Sequence, residues 1–235
     1  AYLTGDEESS GKPRQVSRGH FMEAAKKTDV ALGFESAHGL NTIATARRGS
    51  SSWSLKVSGK TGHSASVFTT SGGYGAIYEA ARIVNEFREK LSSEKYLTFN
   101  PGMFVGGSEI EYQKSAATAS ALGKTNIIAP DAIVTGDLRF LTEAQKMEAR
   151  KTMNAIVQKN LAGTKATITF SDGIPSMEPT KGNRKLLEVI SGVTTDLGLG
   201  PAVEGDPGSR GAGDVSYIAQ FVDAVDGMGA SGKGA

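Results

Sequence analysis

The stretch Trp53-Ser54-Leu55-Lys56-Val57-Ser58-Gly59-Lys60-Thr61-Gly62-His63-Ser64-Ala65 decides the reading of this chain. Trp53, Leu55 and Val57 alternate with Ser54, Lys56 and Ser58, the period of a strand with one packed face and one wet face. The small-residue loop after it carries a histidine, and such loops let a ligand approach the backbone closely. An exposed loop histidine with no role is the plainer alternative. Gly72-Gly73 breaks the chain next. Ile77, Ala80, Val84, Phe87 and Leu91 then recur at spacings of three and four, which predicts an amphipathic helix. Strand-like runs follow at 96–105 and about 111–121. Between Ala132 and Phe140 the even positions are Ala, Val, Gly, Leu and Phe, while Thr135, Asp137 and Arg139 fall on the other face. Thr142-Glu143-Ala144-Gln145 is a capping box that opens a helix to about Leu161. Ala166, Ile168 and Phe170 alternate in a last strand. This order suits an antiparallel sheet with two helices on one face.

The flanks read differently. Residues 1–4 look like the end of a buried strand. Residues 19–27 read as a short helix, and 30–34 as a short apolar strand ending at Glu35. Beyond Gly173, Leu186, Leu187, Ile190, Val193 and Leu197 predict a helix over 185–197. A loop rich in Gly and Pro, 198–213, leads to a short helix near 214–221. The expected organisation is therefore one domain in two pieces, 1–48 and 172–235, with a second domain, 49–171, inserted between them.

Composition narrows the function classes. The 235 residues are 38% hydrophobic and 22% charged, with 26 Lys and Arg against 25 Asp and Glu. No basic stripe forms, so nucleic acid is not an expected partner. No apolar run reaches the ~18–20 residues of a membrane helix, so no membrane partner is expected either. Cysteine is absent, which excludes disulfides, a thiol nucleophile and Cys-ligated zinc. The compartment is left unassigned. Residue 1 is Ala, and the last seven residues are small and glycine-rich. Composition alone leaves a mature protein with frayed ends and a piece of a longer chain equally open.

Asp6-Glu7-Glu8 places three carboxylates side by side, which repel one another unless solvated or bridged by a cation. In the second case one carboxylate binds metal and its neighbour serves as a general base. Glu35 ends an apolar strand, where α/β sheets place ligand groups. Arg139 is either a structural ion-pair partner of Asp137 or a guanidinium that grips a substrate carboxylate. Asn126 is either a turn residue or a polar contact to substrate. Asp214, after Gly211-Ala212-Gly213, reads first as a helix N-cap.

In order along the chain, Thr4-Gly5-Asp6-Glu7-Glu8-Ser9, Leu32-Gly33-Phe34-Glu35, Arg48-Gly49, Val57 to Ala65, Asn126-Ile127-Ile128, Gly136-Asp137-Leu138-Arg139 and Arg210-Gly211-Ala212-Gly213-Asp214 resemble the di-zinc aminoacylase/carboxypeptidase metallopeptidases, and among them the glutamate carboxypeptidases of the carboxypeptidase G type. The resemblance implies an α/β protein: part of a zinc-peptidase-type catalytic domain with an inserted ferredoxin-like α+β lid and dimerisation domain. It implies Glu7 as general base, Glu8 and Glu35 as zinc ligands, and His63 as the lid histidine that stabilises the tetrahedral intermediate in the partner subunit's site. Asn126 and Arg139 become substrate-holding groups, and Asp214 a member of the glycine-rich segment near the site. The implied substrates are peptides or N-acyl amino acids with a free carboxylate, and the implied assembly is a homodimer through the lid.

An aminoacylase or dipeptidase on the same scaffold, and a non-catalytic dimerisation module, are the alternatives. Family members also carry an upstream His-x-Asp segment, a bridging aspartate and a last histidine ligand, none of which is found here. His20 and His38 do not match them. The expectation is a fragment, inactive alone, that does not bind both of the two zinc ions of the full-length protein.

Overall fold

The computed structural model describes residues 1–6 and 11–230. In chain order the elements are helices α1 (Arg14–Ser17) and α2 (Gly19–Ala25), strands β1 (Val30–Leu32), β2 (Thr42–Ile43) and β3 (Gly49–Gly59), and helix α3 (Gly75–Leu91). Strands β4 (Thr98–Gly107), β5 (Glu109–Gln113), β6 (Thr118–Leu122) and β7 (Asp131–Phe140) follow, then helix α4 (Glu143–Val157), strand β8 (Thr164–Asp172), helix α5 (Lys181–Asp196) and strands β9 (Val203–Glu204) and β10 (Asp223–Val225). The chain forms two compact units. One comprises Ala1–Ser50, Arg139–Glu143 and Gly173–Ala235, the other Ser51–Leu138 and Ala144–Asp172.

The second unit is built on a four-stranded sheet in the order β4-β7-β3-β8. β3 and β8 run antiparallel, with Trp53 opposite Phe170 and Leu55 opposite Ile168. Alternation along β3 is carried into burial: Trp53, Leu55 and Val57 are buried while Ser52, Lys56 and Ser58 face solvent. In β7, Ala132, Val134, Leu138 and Phe140 are buried. The helices present their own apolar stripes, Ala76, Ala80, Ile83 and Phe87 from α3 and Ala149, Met153 and Ile156 from α4. Trp53 meets Phe87 edge-on at 5.8 Å between ring centroids, and its indole N–H donates to the Asp137 carbonyl at 2.9 Å. Burying each such side chain is worth about 1.5–3 kcal/mol. With the β5–β6 hairpin set aside, the strand–helix–strand–strand–helix–strand order with β3 and β7 central is the mixed α/β, ferredoxin-like arrangement that the resemblance implies.

The single strand expected over about 111–121 is instead a hairpin, β5 against β6, with Glu109 opposite Leu122 and Gln113 opposite Thr118. The tip, Lys114 to Ala117, contains neither Gly nor Pro, so the sequence shows no break there. Ala117 turns the chain by adopting φ 51°. Helix α4 ends at Val157 rather than near Leu161. The Leu161 amide leaves the helix and donates to the buried Glu79 carboxylate at 3.2 Å.

In the first unit β1 pairs with β10 and β2 with β9, both parallel. Residues 1–4 form no strand, and Leu3 is 93% exposed. The expected apolar strand over 30–34 is shorter, and Val30 and Leu32 are each 46% exposed; among the described residues β1 pairs with β10 alone. Ala25, Met177, Val215, Ile218, Val222 and Ala224 form one core cluster. Ile43, Ala202 and Val225 form another, against Leu186, Leu187 and Ile190 of α5. Helix α5 starts at Lys181, four residues before the expected start at 185, because the Thr180 hydroxyl caps it by accepting from the Asn183 amide at 2.9 Å. Buried Asn183 ties the helix inward, donating to the Thr45 carbonyl (2.9 Å) and accepting from the Ala224 amide (2.8 Å).

Gly136 lies where β7 passes closest to its neighbours. A Cβ there would overlap the Asn100 carbonyl and come within 2.5 Å of the Trp53 ring. Gly136→Ala is expected to destabilise the second unit by about 1–3 kcal/mol. Urea denaturation followed by the fluorescence of Trp53, the chain's single tryptophan, measures this, and an unchanged midpoint would refute it.

Candidate functional site

Glu35 follows β1 and is half-buried. Its backbone is fixed at both ends: the amide donates to Asp226 Oδ1 at 3.3 Å, and the carbonyl accepts from the Gly229 amide at 2.9 Å. Asp226, fully buried just after β10, is the centre of this arrangement. Its Oδ1 also accepts from the Gly227 amide at 2.7 Å, and its Oδ2 receives Nη1 of the buried Arg47. Arg47 continues across to the glycine-rich loop, donating from Nε to the Gly211 carbonyl and from Nη2 to the Ala212 carbonyl, both at 2.9 Å. Arg210 donates to the Ser36 carbonyl at 2.5 Å. Burial holds the Arg210 pKa below the usual guanidinium value. Repulsion from Arg47 adds to this, against attraction by Asp226 and Glu35. Close approach requires glycine here. A Cβ at Gly33 would overlap the Asp226 carboxylate, and one at Gly213 would lie 2.6 Å from Arg47 Nη1.

A second knot joins the acidic end of the chain to the same unit. Arg18, 1% exposed, donates to Asp6 Oδ1 at 2.6 Å and to Asp214 Oδ1 at 3.0 Å. Asp6 Oδ2 accepts from the Gly11 amide at 3.2 Å. Asp214 is therefore not the N-cap that its position after Gly213 predicts. It is the first residue of a 3₁₀ turn, Asp214–Tyr217, capped by Gly213 without a side-chain bond. Its carboxylate turns to Arg18 instead, because that buried cation needs a counter-charge. The expected base and ligand, Glu7 and Glu8, lie outside the described residues.

In the second unit, His63 and Asn126 are brought together. The His63 segment pairs with Ile127 in an isolated antiparallel bridge. The Ser64 amide donates to the Asn126 carbonyl, and the Ile128 amide to the Gly62 carbonyl, both at 2.9 Å. Both side chains are exposed. His63 Nδ1 accepts from the Ala65 amide at 3.2 Å, so the proton of the neutral ring sits on Nε2, a donor directed away from its own backbone. Arg139 lies on the polar face of β7, half-buried, and is grouped with the first unit. His20 and His38 are exposed. Among the described residues no group of three or more His, Cys, Asp or Glu is placed to hold a metal ion.

Sequence reasoning missed Arg18, Arg47 and Asp226. The available signals were thin: an arginine closing the apolar run Thr42 to Ala46, and an aspartate breaking the alternation of 222–226 just before a glycine.

The second unit is thus a ferredoxin-like α/β scaffold with a histidine loop beyond the end of its first strand. The chain belongs to the peptidase dimerisation domain family of M20 type, whose model matches residues 45–165. Among solved structures it is similar to an aminopeptidase PepT from Bacillus cereus, at 19% identity and TM-score 0.61 over 87% of this chain and 52% of that one. A tripeptidase from Staphylococcus aureus aligns at 19% identity and TM-score 0.61, covering 89% of this chain and 53% of the tripeptidase. An aminobenzoyl-glutamate utilization protein from Klebsiella pneumoniae aligns at 14% identity and TM-score 0.55, covering 92% and 53%. The chain thus spans about half the length of these structures. Among curated proteins no sequence matches it. No helix among the described residues is long and apolar enough to cross a membrane.

Asp226→Asn leaves Arg47 buried without its counter-charge and is expected to destabilise the first unit by about 3–5 kcal/mol, read as loss of amide-exchange protection in β1 and β10. Protection equal to wild type would refute it. The Gly11 amide and the bond from Arg18 hold the Asp6 pKa below the usual carboxylate range. Its tether to Arg18 is therefore complete above the unfolded value and is lost as the pH falls through the lowered folded one. A carboxyl-carbon NMR titration is expected to show an Asp6 midpoint below that of an ordinary aspartate, and a midpoint at the unperturbed value would refute the tether.

Proposed function

We propose that this chain is the lid-bearing part of a metal-dependent peptidase or amidohydrolase that cleaves an amide bond beside a free carboxylate, in its narrowest form a glutamate carboxypeptidase. The observation that carries the reading is the match of residues 45–165 to a domain whose description places it in peptidases. In this reading residues 49–171 are the lid, and 1–48 with 172–235 contribute to the catalytic domain. The longer protein works as a homodimer with two zinc ions per site. The described residues by themselves do not fit a metal: they supply Glu35 and no cluster of ligands around it.

Glu7 is the base for the attacking water and returns that proton to the leaving amine. Glu8 and Glu35 are the carboxylates set aside for the metal, and Asp226 holds the Glu35 backbone in place. His63, with its proton on Nε2, supplies a hydrogen bond to the developing oxyanion, an effect of about 3–4 kcal/mol for a well-placed donor. Arg139 takes the substrate carboxylate with two parallel hydrogen bonds, and Asn126 adds a polar contact. A dipeptidase or aminoacylase on the same scaffold is the second reading, favoured by the aminopeptidase and tripeptidase among the similar structures.

With zinc or cobalt supplied, a longer polypeptide containing this chain is expected to release glutamate from N-acyl-glutamates, while the 235 residues alone are not. Glu7→Gln in that polypeptide is expected to lower kcat by about 10²–10⁴ with KM little changed. Equal turnover of substrates with and without the free carboxylate would overturn the specificity, and full activity of Glu7→Gln the mechanism.

A further inference from the structure

Arg210 is a buried cation without a counter-charge of its own. It is 7% exposed. Among the described residues its side chain makes one hydrogen bond, from Nη2 to the Ser36 carbonyl, and no ion pair. Its Nε is shut off from solvent and has no partner. Asp226 does not serve it, because both oxygens are taken. Oδ2 receives Arg47, and Oδ1 receives the Glu35 and Gly227 amides. Glu35 attracts the guanidinium without pairing with it, and Arg47 repels it. Arg48 brings a further cation to the same loop, donating to the Gly208 carbonyl at 3.1 Å. Two buried arginines thus share one buried carboxylate, which leaves a positive charge in excess. Such a charge is costly unless an opposite one is brought to it.

The position of Arg210 bears on what that is. It lies past the carboxyl ends of two parallel strands. Ser36 follows β1, and Gly227, where a Cβ would lie 2.5 Å from Arg210 Nη1, follows β10. Crevices at such strand ends are where α/β sheets bind ligands. On the loop itself there is space, since nothing comes within 4 Å of a Cβ built on the exposed Gly211. We propose that Arg210 binds a substrate carboxylate other than the one assigned to Arg139, namely the side-chain carboxylate of an acidic residue released by hydrolysis. The inference rests on the hydrolase reading of the preceding section and deepens it by giving the acidic side chain its own partner. A planar guanidinium matches a carboxylate with parallel hydrogen bonds. A phosphate dianion fits less well, because Asp226 and Glu35 act on the same guanidinium and repel a second negative charge more than a first.

NMR of the Arg210 Nε–H in the 235-residue chain tests this without catalysis. On titration with N-acetylglutamate the signal is expected to shift to saturation. N-acetylglutamine, which lacks the side-chain charge, is expected to leave it in place. A signal that answers to neither compound overturns the proposal. So does one that answers to both alike, or to inorganic phosphate and not to N-acetylglutamate. In the longer polypeptide, Arg210→Lys keeps the charge and loses the planar fork. It is expected to raise KM for N-acyl-glutamates about tenfold to a hundredfold more than KM for N-acyl-glutamines. An equal rise for the two would show a purely structural role and overturn the proposal. The titration uses the wild-type chain, so a variant that fails to fold leaves the decision to it. A saturable shift in a protein whose longer form hydrolyses no amide would defeat the proposed reaction and leave the anion site standing.

Discussion

Asp226 is a carboxylate with no access to solvent, and a buried charge is tolerated only when its oxygens are fully answered. The answers come from three separated stretches: Arg47, the Glu35 amide and the Gly227 amide. That requirement organises much of the first unit. It draws the end of β1 against the end of β10. Arg47, drawn to the same carboxylate, reaches on to the carbonyls of Gly211 and Ala212. Glycines at 33 and 213 follow from it, since side chains there would displace the ion pair. Such a pair need not add net stability over an apolar substitute, but losing one member of it is costly.

The second unit follows a different logic. Its sheet is held by alternation, with one face of β3 and β7 apolar and packed and the other polar. The groups proposed for its chemistry lie beyond the end of β3, where backbone bonds between 62–64 and 126–128 set His63 beside Asn126. Neither side chain is buried, and the loop around them owes its shape to hydrogen bonds and glycine contacts. A rigid sheet carrying an exposed polar loop at the end of one of its strands is a common way of presenting groups to something outside the unit.

The two knots of charge in the first unit and the exposed loop of the second bear on function unequally. Arg47 and Asp226 act on Glu35 through its backbone, and Arg18 acts on the chain next to Glu7 through Asp6. These are positioning interactions. His63 and Arg139 are the groups that the proposed reading sets against a substrate. Similar structures at 14–19% identity carry the fold and not the substrate, so the chemistry rests on residue types and placements within this chain.

The sequence by itself determined the β3 and β7 strands, the α3 helix and the α/β class, because periods of 2 and 3.6 are local properties of a chain with a buried face. It also singled out Glu35 and His63, each at the end of an apolar strand. The hairpin at 109–122 escaped it because a turn made by Ala117 leaves no glycine or proline to read. The partners of the buried charges were decided by the tertiary structure alone. Arg47 meets Asp226 across 179 positions of chain and Arg18 meets Asp214 across 196. Nothing in either neighbourhood states which opposite charge will be buried with it, since that choice belongs to packing and not to pattern.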